Sequence, residues 1–196
     1  MRDEARVAKA ELRERMLEAR RTLHPNERRQ LDRRICSHVL RLLEERDCVD
    51  IAAFIAFRGE PDLQPALIAL HEAGRRIWLP IVDGRHMRFG LWRPESRMRA
   101  NRYGIPEPEP LRTCPAERLE LVLTPLVAYS ASGTRLGMGA GFYDRAFLFT
   151  RSAAAAGPWL VGVAYALQQV DSLPTAPWDV PLGAVVTDQG LQIFRE

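Results

Sequence analysis

The stretch 132–145, SGTRLGMGAGFYDR, concentrates residues whose types and spacing could do chemistry. Gly137, Gly139 and Gly141 alternate with Met138 and Ala140, behind Arg135 and Leu136 and ahead of Phe142 and Tyr143. Backbone without side chains winds tightly and turns its N–H groups toward one point, which suits phosphate oxygens. A helix expected from Phe142 would aim its unpaired N–H groups and the positive end of its dipole at the same point. Arg135 can present a bidentate guanidinium to such oxygens. Asp144, in the first helical turn, can hold a Mg²⁺ that bridges them. The run has neither the lysine and spacing of a Walker A loop nor the downstream acidic residue of a dinucleotide fingerprint. A tight turn that binds nothing, with Asp144 as an ordinary helix-terminal charge, is the competing reading.

A second signal is compositional. Of 28 basic residues only Lys9 is lysine, so a compact ammonium is wanted at that one position, or it survives there by chance. Residues 1–46 hold thirteen basic residues against nine acidic ones, a balance that suits nucleic acid or a small polyphosphate. The arginines there are interleaved with acids, as in Glu11 and Arg15, and read as solvated helix faces. An RNA-recognition aromatic signature is absent. Cys36, Cys48 and Cys114 form no CxxC pair and point to a reducing compartment. His24, His71 and His86 lack metal-ligand spacing, and no nucleophile elbow is present. With no signal peptide and no uninterrupted apolar span, a cytoplasmic protein without membrane or nucleic-acid partners is expected.

The elements that must position these residues follow from periodicity. Residues 2–22 and 25–46 read as two helices, the second with an apolar stripe of Leu31, Ile35, Val39 and Leu42. Residues 49–57 read as a strand, followed by a Gly59–Asp62 turn and a helix to about His71, with Asp62 as N-cap and Gly74 closing it. Residues 77–82 and 86–92 form a hairpin across Asp83-Gly84, and 93–118 an ordered loop. Residues 119–129 read as one strand, 142–156 as a helix, and 159–165, 184–187 and 191–194 as strands. Alternating strands and helices, with strands apolar throughout, predict an α/β fold with a mainly parallel sheet, in one domain over 1–196.

The run P-L-V-A-Y-S-x-x-G-x-R-L-G-M-G-A-G-F-Y-D-R resembles the signature of the 5-formyltetrahydrofolate cyclo-ligases, also called 5,10-methenyltetrahydrofolate synthetases. Lys9 and Arg13 resemble the family's K-x-x-x-R on its first helix. Gly59 to Leu63 resembles its G-E-x-D-L turn, Gly104 to Pro108 its G-I-P-E-P segment, and Leu173 to Leu182 its closing L-P-x-x-x-x-D-x-P-L. The matches keep their order over nearly the whole chain.

The resemblance implies a three-layer α/β/α sandwich and the ATP-dependent cyclisation of 5-formyltetrahydrofolate, releasing ADP and phosphate. It implies that Lys9, Arg13 and the loop Arg135, Leu136, Gly137, Met138, Gly139, Ala140, Gly141, Phe142 and Tyr143 bind ATP. Asp144 and Asp179 would be the Mg²⁺ ligands, and Arg135, Tyr143 and Asp144 would serve catalysis. Glu60 would hold the pterin edge of the folate, with Ile55 and Tyr103 beside it. A monomer is expected. Two positions depart from the family pattern: Ser130 stands where the family carries Asp, and Trp178 where it carries His. A folate-binding relative with little activity, or a nucleic-acid module built on the arginine-rich helices, are the alternatives.

Overall fold

A computed structural model describes residues 2–109, 112–151 and 157–195 of the chain. Its helices are α1 (Arg2–Arg21), α2 (Pro25–Glu45), α3 (Gln64–Glu72) and α4 (Phe142–Ala146). Its strands are β1 (Asp50–Ala52), β2 (Arg76–Asp83), β3 (His86–Trp92), β4 (Met98–Ala100), β5 (Pro106–Pro108), β6 (Thr113–Cys114) and β7 (Leu121–Pro125). They continue with β8 (Ala128–Ser130), β9 (Arg135–Leu136), β10 (Trp159–Val163), β11 (Gln169–Val170), β12 (Ala184–Thr187) and β13 (Gly190–Ile193).

The main sheet runs β13-β12-β10-β7-β1-β2-β3-β6. Its centre, from β12 to β2, is parallel, and β13, β3 and β6 add antiparallel pairs at the two sides. Every residue of β1 and β12 is buried, as expected of strands covered on both faces. On one face Ile35, Val39, Leu42 and Leu43 of α2 and Leu67 of α3 pack against Ile51, Leu121 and Val161. On the other, Phe147, Val180 and Leu182 pack against Val122, Leu160 and Val185. This second covering layer is thin, made of α4, the 3₁₀ turn Leu148–Arg151 and the segment around Val180. Helix α1 instead packs through Met16 on Val127, Ala128 and Leu136, beside the small sheet β11-β8-β9.

Four predicted elements come out differently. The strand expected over 49–57 pairs only at Asp50–Ala52 before the chain leaves the sheet for a turn at Arg58 (φ 49°) and Gly59 (φ 77°). The strand expected over 119–129 divides after Pro125, and Val127 donates to the Leu136 carbonyl (2.7 Å) as β8 joins β9. The helix expected over 142–156 lasts five residues, and positions 152–156 lie outside the described ones. It stops because Phe147 leaves helical geometry (φ −113°, ψ 16°) as its ring is fully buried against Phe89, with ring centres 5.7 Å apart. Asp62 sits one residue outside the observed N-cap, Leu63, but its carboxylate accepts from the Gln64 N–H (3.0 Å). The loop over 93–118 contains the ribbon β4-β5, whose turn projects Tyr103.

Gly133 ties this architecture to the glycine-rich run. It has φ +76°, its N–H reaches the Ser130 carbonyl (3.0 Å), and its own carbonyl accepts from Leu182 (2.9 Å). A Cβ there would stand 3.0 Å from the Leu182 carbonyl oxygen and 3.1 Å from the Phe194 ring. Gly133→Ala is therefore expected to destabilise the fold by ~1–3 kcal/mol in urea unfolding. A change below ~0.5 kcal/mol would show that neither the left-handed geometry nor the contacts constrain this turn.

Candidate functional site

The winding of the sheet reverses at β1. The chain proceeds from β1 to β2 on one side and later from β7 to β10 and β12 on the other. Ligand clefts in open α/β sheets lie outside the carboxyl ends of strands at such a point. Here a cleft of about 840 Å³ opens there, lined by Phe54, Ile55 and Phe57 beyond β1, Val82 at the end of β2 and Leu126 beyond β7. All sixteen residues expected at the site line it: Lys9, Arg13, Ile55, Glu60, Tyr103, the run from Arg135 to Asp144, and Asp179.

One end is made by the glycine-rich run. Gly139 (φ 101°) and Gly141 (φ 66°) hold left-handed geometry that favours glycine. A Cβ on Gly139 would lie 3.6 Å from the Arg13 guanidinium, which itself donates from Nε to the Gly137 carbonyl (2.8 Å). Thus α1 braces the loop directly. Because α4 has only five residues, its dipole adds little to the case for anion binding.

Arg135 is more deeply placed than a surface phosphate clamp. Its side chain is 5% exposed and gives Nη2 to Asp144 Oδ1 (2.7 Å) and Nη1 to the Val180 carbonyl. The Val180 N–H also reaches Asp144 Oδ1 (3.2 Å). Burial lowers the guanidinium's pKa, countered chiefly by Asp144. In this state Arg135 orients Asp144 instead of presenting a free fork. Asp179 Oδ2 accepts from Lys9 Nζ (3.3 Å) and from the Ala176 N–H (2.8 Å). Among the described residues no three acidic, His or Cys side chains gather as a metal cage. The two carboxylates of Asp144 and Asp179 would suit a magnesium ion that takes most of its oxygens from phosphate and water.

The other end is built around Glu60. Its Oε2 accepts from the Phe57 N–H (3.0 Å). Burial pushes its carboxyl up to about 7, against the opposing pull of the Arg20 charge and the Phe57 N–H. The Tyr143 hydroxyl, buried and without a hydrogen-bond partner, lies close enough to feel the Glu60 charge, and burial pushes its pKa above the usual phenol range. Tyr103, 43% exposed, meets Phe142 edge-on with ring centres 6.0 Å apart, so the β4-β5 turn touches the start of α4 across the cleft. Asn101 Oδ1 shapes that turn by accepting from the Tyr103 (2.8 Å) and Ile105 (3.1 Å) N–H groups. Asn101 Nδ2 and the Val82 N–H in turn donate to Glu107 Oε1 (2.6 and 2.8 Å).

A match to the family model described as "5-formyltetrahydrofolate cyclo-ligase family" covers residues 5–188. The chain belongs to the 5-formyltetrahydrofolate cyclo-ligase family. It is 36% identical to the 5-formyltetrahydrofolate cyclo-ligase of Escherichia coli (strain K12), over 86% of this chain and 93% of that one. The cyclo-ligase of Haemophilus influenzae is 35% identical, over 78% of this chain and 83% of that one. The solution structure of Aquifex aeolicus 5,10-methenyltetrahydrofolate synthetase superposes with a TM-score of 0.81 at 31% identity, covering 96% and 93% of the two chains.

Within this cyclo-ligase frame both departures have a place. Ser130 is buried and its hydroxyl pairs with Ser132 (2.8 Å), which pairs with Thr134 (3.2 Å), so a hydroxyl chain stands where the resemblance led to the expectation of a carboxylate. Trp178 is 62% exposed and lines the cleft beside Asp179. Sequence reading passed over Arg58, Arg102, Arg145 and Phe57, which also line the cleft, because nothing in their spacing separates them from surface residues. The helix arginines partly form the surface pairs expected, as in Glu18–Arg21 (2.7 Å) and Arg41–Glu45 (3.3 Å), and among the described residues no helix is long and apolar enough to cross a membrane.

A carboxyl whose folded pKa stands near 7, above its ordinary 4.5, is disfavoured by folding once ionised. Its stability contribution is intact below about 4.5 and lost as pH rises through about 7. Ligand-free Glu60→Gln should therefore exceed wild type in stability by ~1–2 kcal/mol at pH 8 and match it near pH 4.5. Denaturant unfolding at the two pH values checks this, and equal offsets at both would mean that the carboxylate is solvated.

Proposed function

We propose that this chain closes 5-formyltetrahydrofolate to 5,10-methenyltetrahydrofolate at the expense of ATP, releasing ADP and phosphate. The observation that carries the reading is one continuous cleft with the glycine-rich run beside Lys9 and Arg13 at one end and the half-sunken Glu60 carboxylate at the other. Two substrates can lie there end to end, which is what transfer between them requires.

At the glycine-rich end, Lys9, Arg13 and the N–H groups of the 137–141 loop bind the ATP phosphates. Asp144 and Asp179 would hold Mg²⁺, which when bound neutralises charge on the phosphates. At the other end, Glu60 accepts N–H groups of the pterin edge, Ile55 packs beside it, and Tyr103 bounds the substrate from the β4-β5 turn. The formyl oxygen on N5 then attacks the γ-phosphorus and ADP leaves. N10 attacks the activated formyl carbon, its proton is lost, and phosphate departs as the ring closes. No residue becomes covalently attached. The enzyme's part is alignment and charge stabilisation, with Arg135 fixing Asp144 and the buried floor excluding water. On this reading the chain acts as a monomer in the cytosol.

Purified protein given ATP, Mg²⁺ and 5-formyltetrahydrofolate should develop the methenyl chromophore, and none should form without ATP. Folate binding with no turnover would replace this reading by a sequestering role.

Asp144→Asn retains shape and can still accept from Arg135, yet loses the carboxylate charge. Turnover should fall at least ~100-fold with the thermal transition little changed, and activity within ~3-fold of wild type would remove Asp144 from the metal site. Lys9→Arg should raise the apparent KM for ATP by ~10-fold, because a planar fork cannot occupy the compact position 3.3 Å from Asp179. Unchanged ATP kinetics would make the lone lysine an accident of composition.

A further inference from the structure

We propose that Arg20, on the buried side of α1, is a positioning residue for the folate half of the cleft: it braces the 58–60 turn from beneath and supplies the cation that faces the Glu60 carboxylate. The inference rests on the reading of Glu60 as the pterin acceptor.

Arg20 is fully buried, an unusual fate for a side chain this large and charged. Its Nη2 donates to the Arg58 carbonyl (3.0 Å) and its Nη1 to the Leu126 carbonyl (3.1 Å). These two carbonyls belong to the segments leaving β1 and β7, the strands at which the sheet reverses. One guanidinium therefore bridges the two lips of the switch point. Arg58 is also the non-glycine residue with positive φ among those described, and such a conformation persists where its surroundings over-determine it. Arg28 of α2 completes the brace. It donates to the Arg20 carbonyl, and its Nη1 lies 2.9 Å from where a Cβ on Gly59 would be.

The Arg20 Nε has no hydrogen-bond partner, so its charge is spread over carbonyls and not cancelled by a direct ion pair. One charged group acts on Glu60, Arg20 from α1, which favours its ionised form, while the Glu60 charge in turn helps to raise the pKa of the Tyr143 phenol on α4. Behind Arg20 stand Arg28 and the Tyr165 hydroxyl, the latter hydrogen-bonded to Asp32 (2.7 Å). Since burial pushes Glu60 up to about 7, folate binding should weaken as pH falls below neutrality, and the Arg20 cation sets where that limb lies.

The test measures KM for 5-formyltetrahydrofolate and for ATP over about three pH units centred on 7 in wild type, Arg20→Gln, Arg20→Lys and Glu60→Gln. Arg20→Gln keeps a donor but removes the charge. It should raise the folate KM ~10-fold at pH 7, leave the ATP KM within ~2-fold, and move the acid limb up by ~1 pH unit. Arg20→Lys keeps the charge and loses one carbonyl contact. It should raise the folate KM a few-fold with the limb in place, and it remains informative if the neutral variant does not fold. Glu60→Gln should abolish the limb. An unmoved limb in Arg20→Gln, or equal rises in both KM values in either Arg20 variant, overturns the inference while leaving the Glu60 assignment standing. A limb that persists in Glu60→Gln overturns the pterin assignment and the inference with it.

Discussion

At β1 and β7 two parallel neighbours release the chain in opposite directions, and the gap left at their carboxyl ends is what the rest of the site is arranged around. Beyond β1 the chain turns through Arg58 and Gly59 to reach α3. Beyond β7 it crosses into the small sheet and returns as the glycine-rich run. Neither departure is free to relax, because Leu63 and Leu126 on the two paths are buried in separate apolar clusters on opposite faces of the sheet. The sheet thus holds the cleft open by packing on both sides, and α1 reaches it from a third direction through Met16.

That arrangement places buried cations where an ordinary core would hold only apolar groups. Arg20 and Arg135 both have their pKa lowered by burial; Arg20 is held by the Arg58 and Leu126 carbonyls, and Arg135 by the Val180 carbonyl and the Asp144 carboxylate. Carbonyl dipoles satisfy the hydrogen-bonding geometry of a guanidinium without cancelling its charge. The result is positive potential delivered from beneath the floor, where salt screens it less than it screens the rim arginines. Against that background a carboxylate such as Glu60 can be sunk into the wall and still be ionised in a useful range of pH.

The fold and the site differ in how well they could be read from residues alone. Helix α2 was legible because Ile35, Val39 and Leu42 recur at helical spacing, and the β2-β3 hairpin because Asp83-Gly84 interrupts two apolar runs. The glycine loop, Lys9, Arg13 and Asp179 were legible because glycine alternation, a solitary lysine and the family pattern are visible in one dimension. The long helix from Phe142 was not, since local propensity favours it and only the burial of Phe147 in three dimensions ends it. Arg20 and Arg28 were invisible for a related reason. In an arginine-rich helix nothing local separates the arginine that will be sealed inside from its solvated neighbours. Likewise Glu60 sits in a Gly-Glu-Pro-Asp sequence that is polar on its face, and its burial arises only in three dimensions.

Charge bookkeeping across the cleft links these features. Six lining residues are cationic, Lys9, Arg13, Arg58, Arg102, Arg135 and Arg145, against four carboxylates, Glu60, Glu107, Asp144 and Asp179. Asp179 is matched by Lys9, and Asp144 by Arg135, while Glu107 is occupied in shaping the Tyr103 turn. The surplus positive charge therefore lies with arginines at the rim and with Arg13 beside the loop. A triphosphate that carries a divalent cation retains negative charge and is drawn toward this surplus. On the proposed reading its metal would be held by Asp144 and Asp179, which are bonded to Arg135 and Lys9. On that reading binding would exchange one partner, Lys9 leaving Asp179 for phosphate, while Asp144 would stay bonded to Arg135 through Oδ1. A short, flexible ammonium can make that exchange without rebuilding its surroundings, whereas Arg13, whose Nε is committed to the Gly137 carbonyl, and Arg135, locked to Val180, cannot. On that reading the single lysine of the chain stands at the position where the cation would have to move.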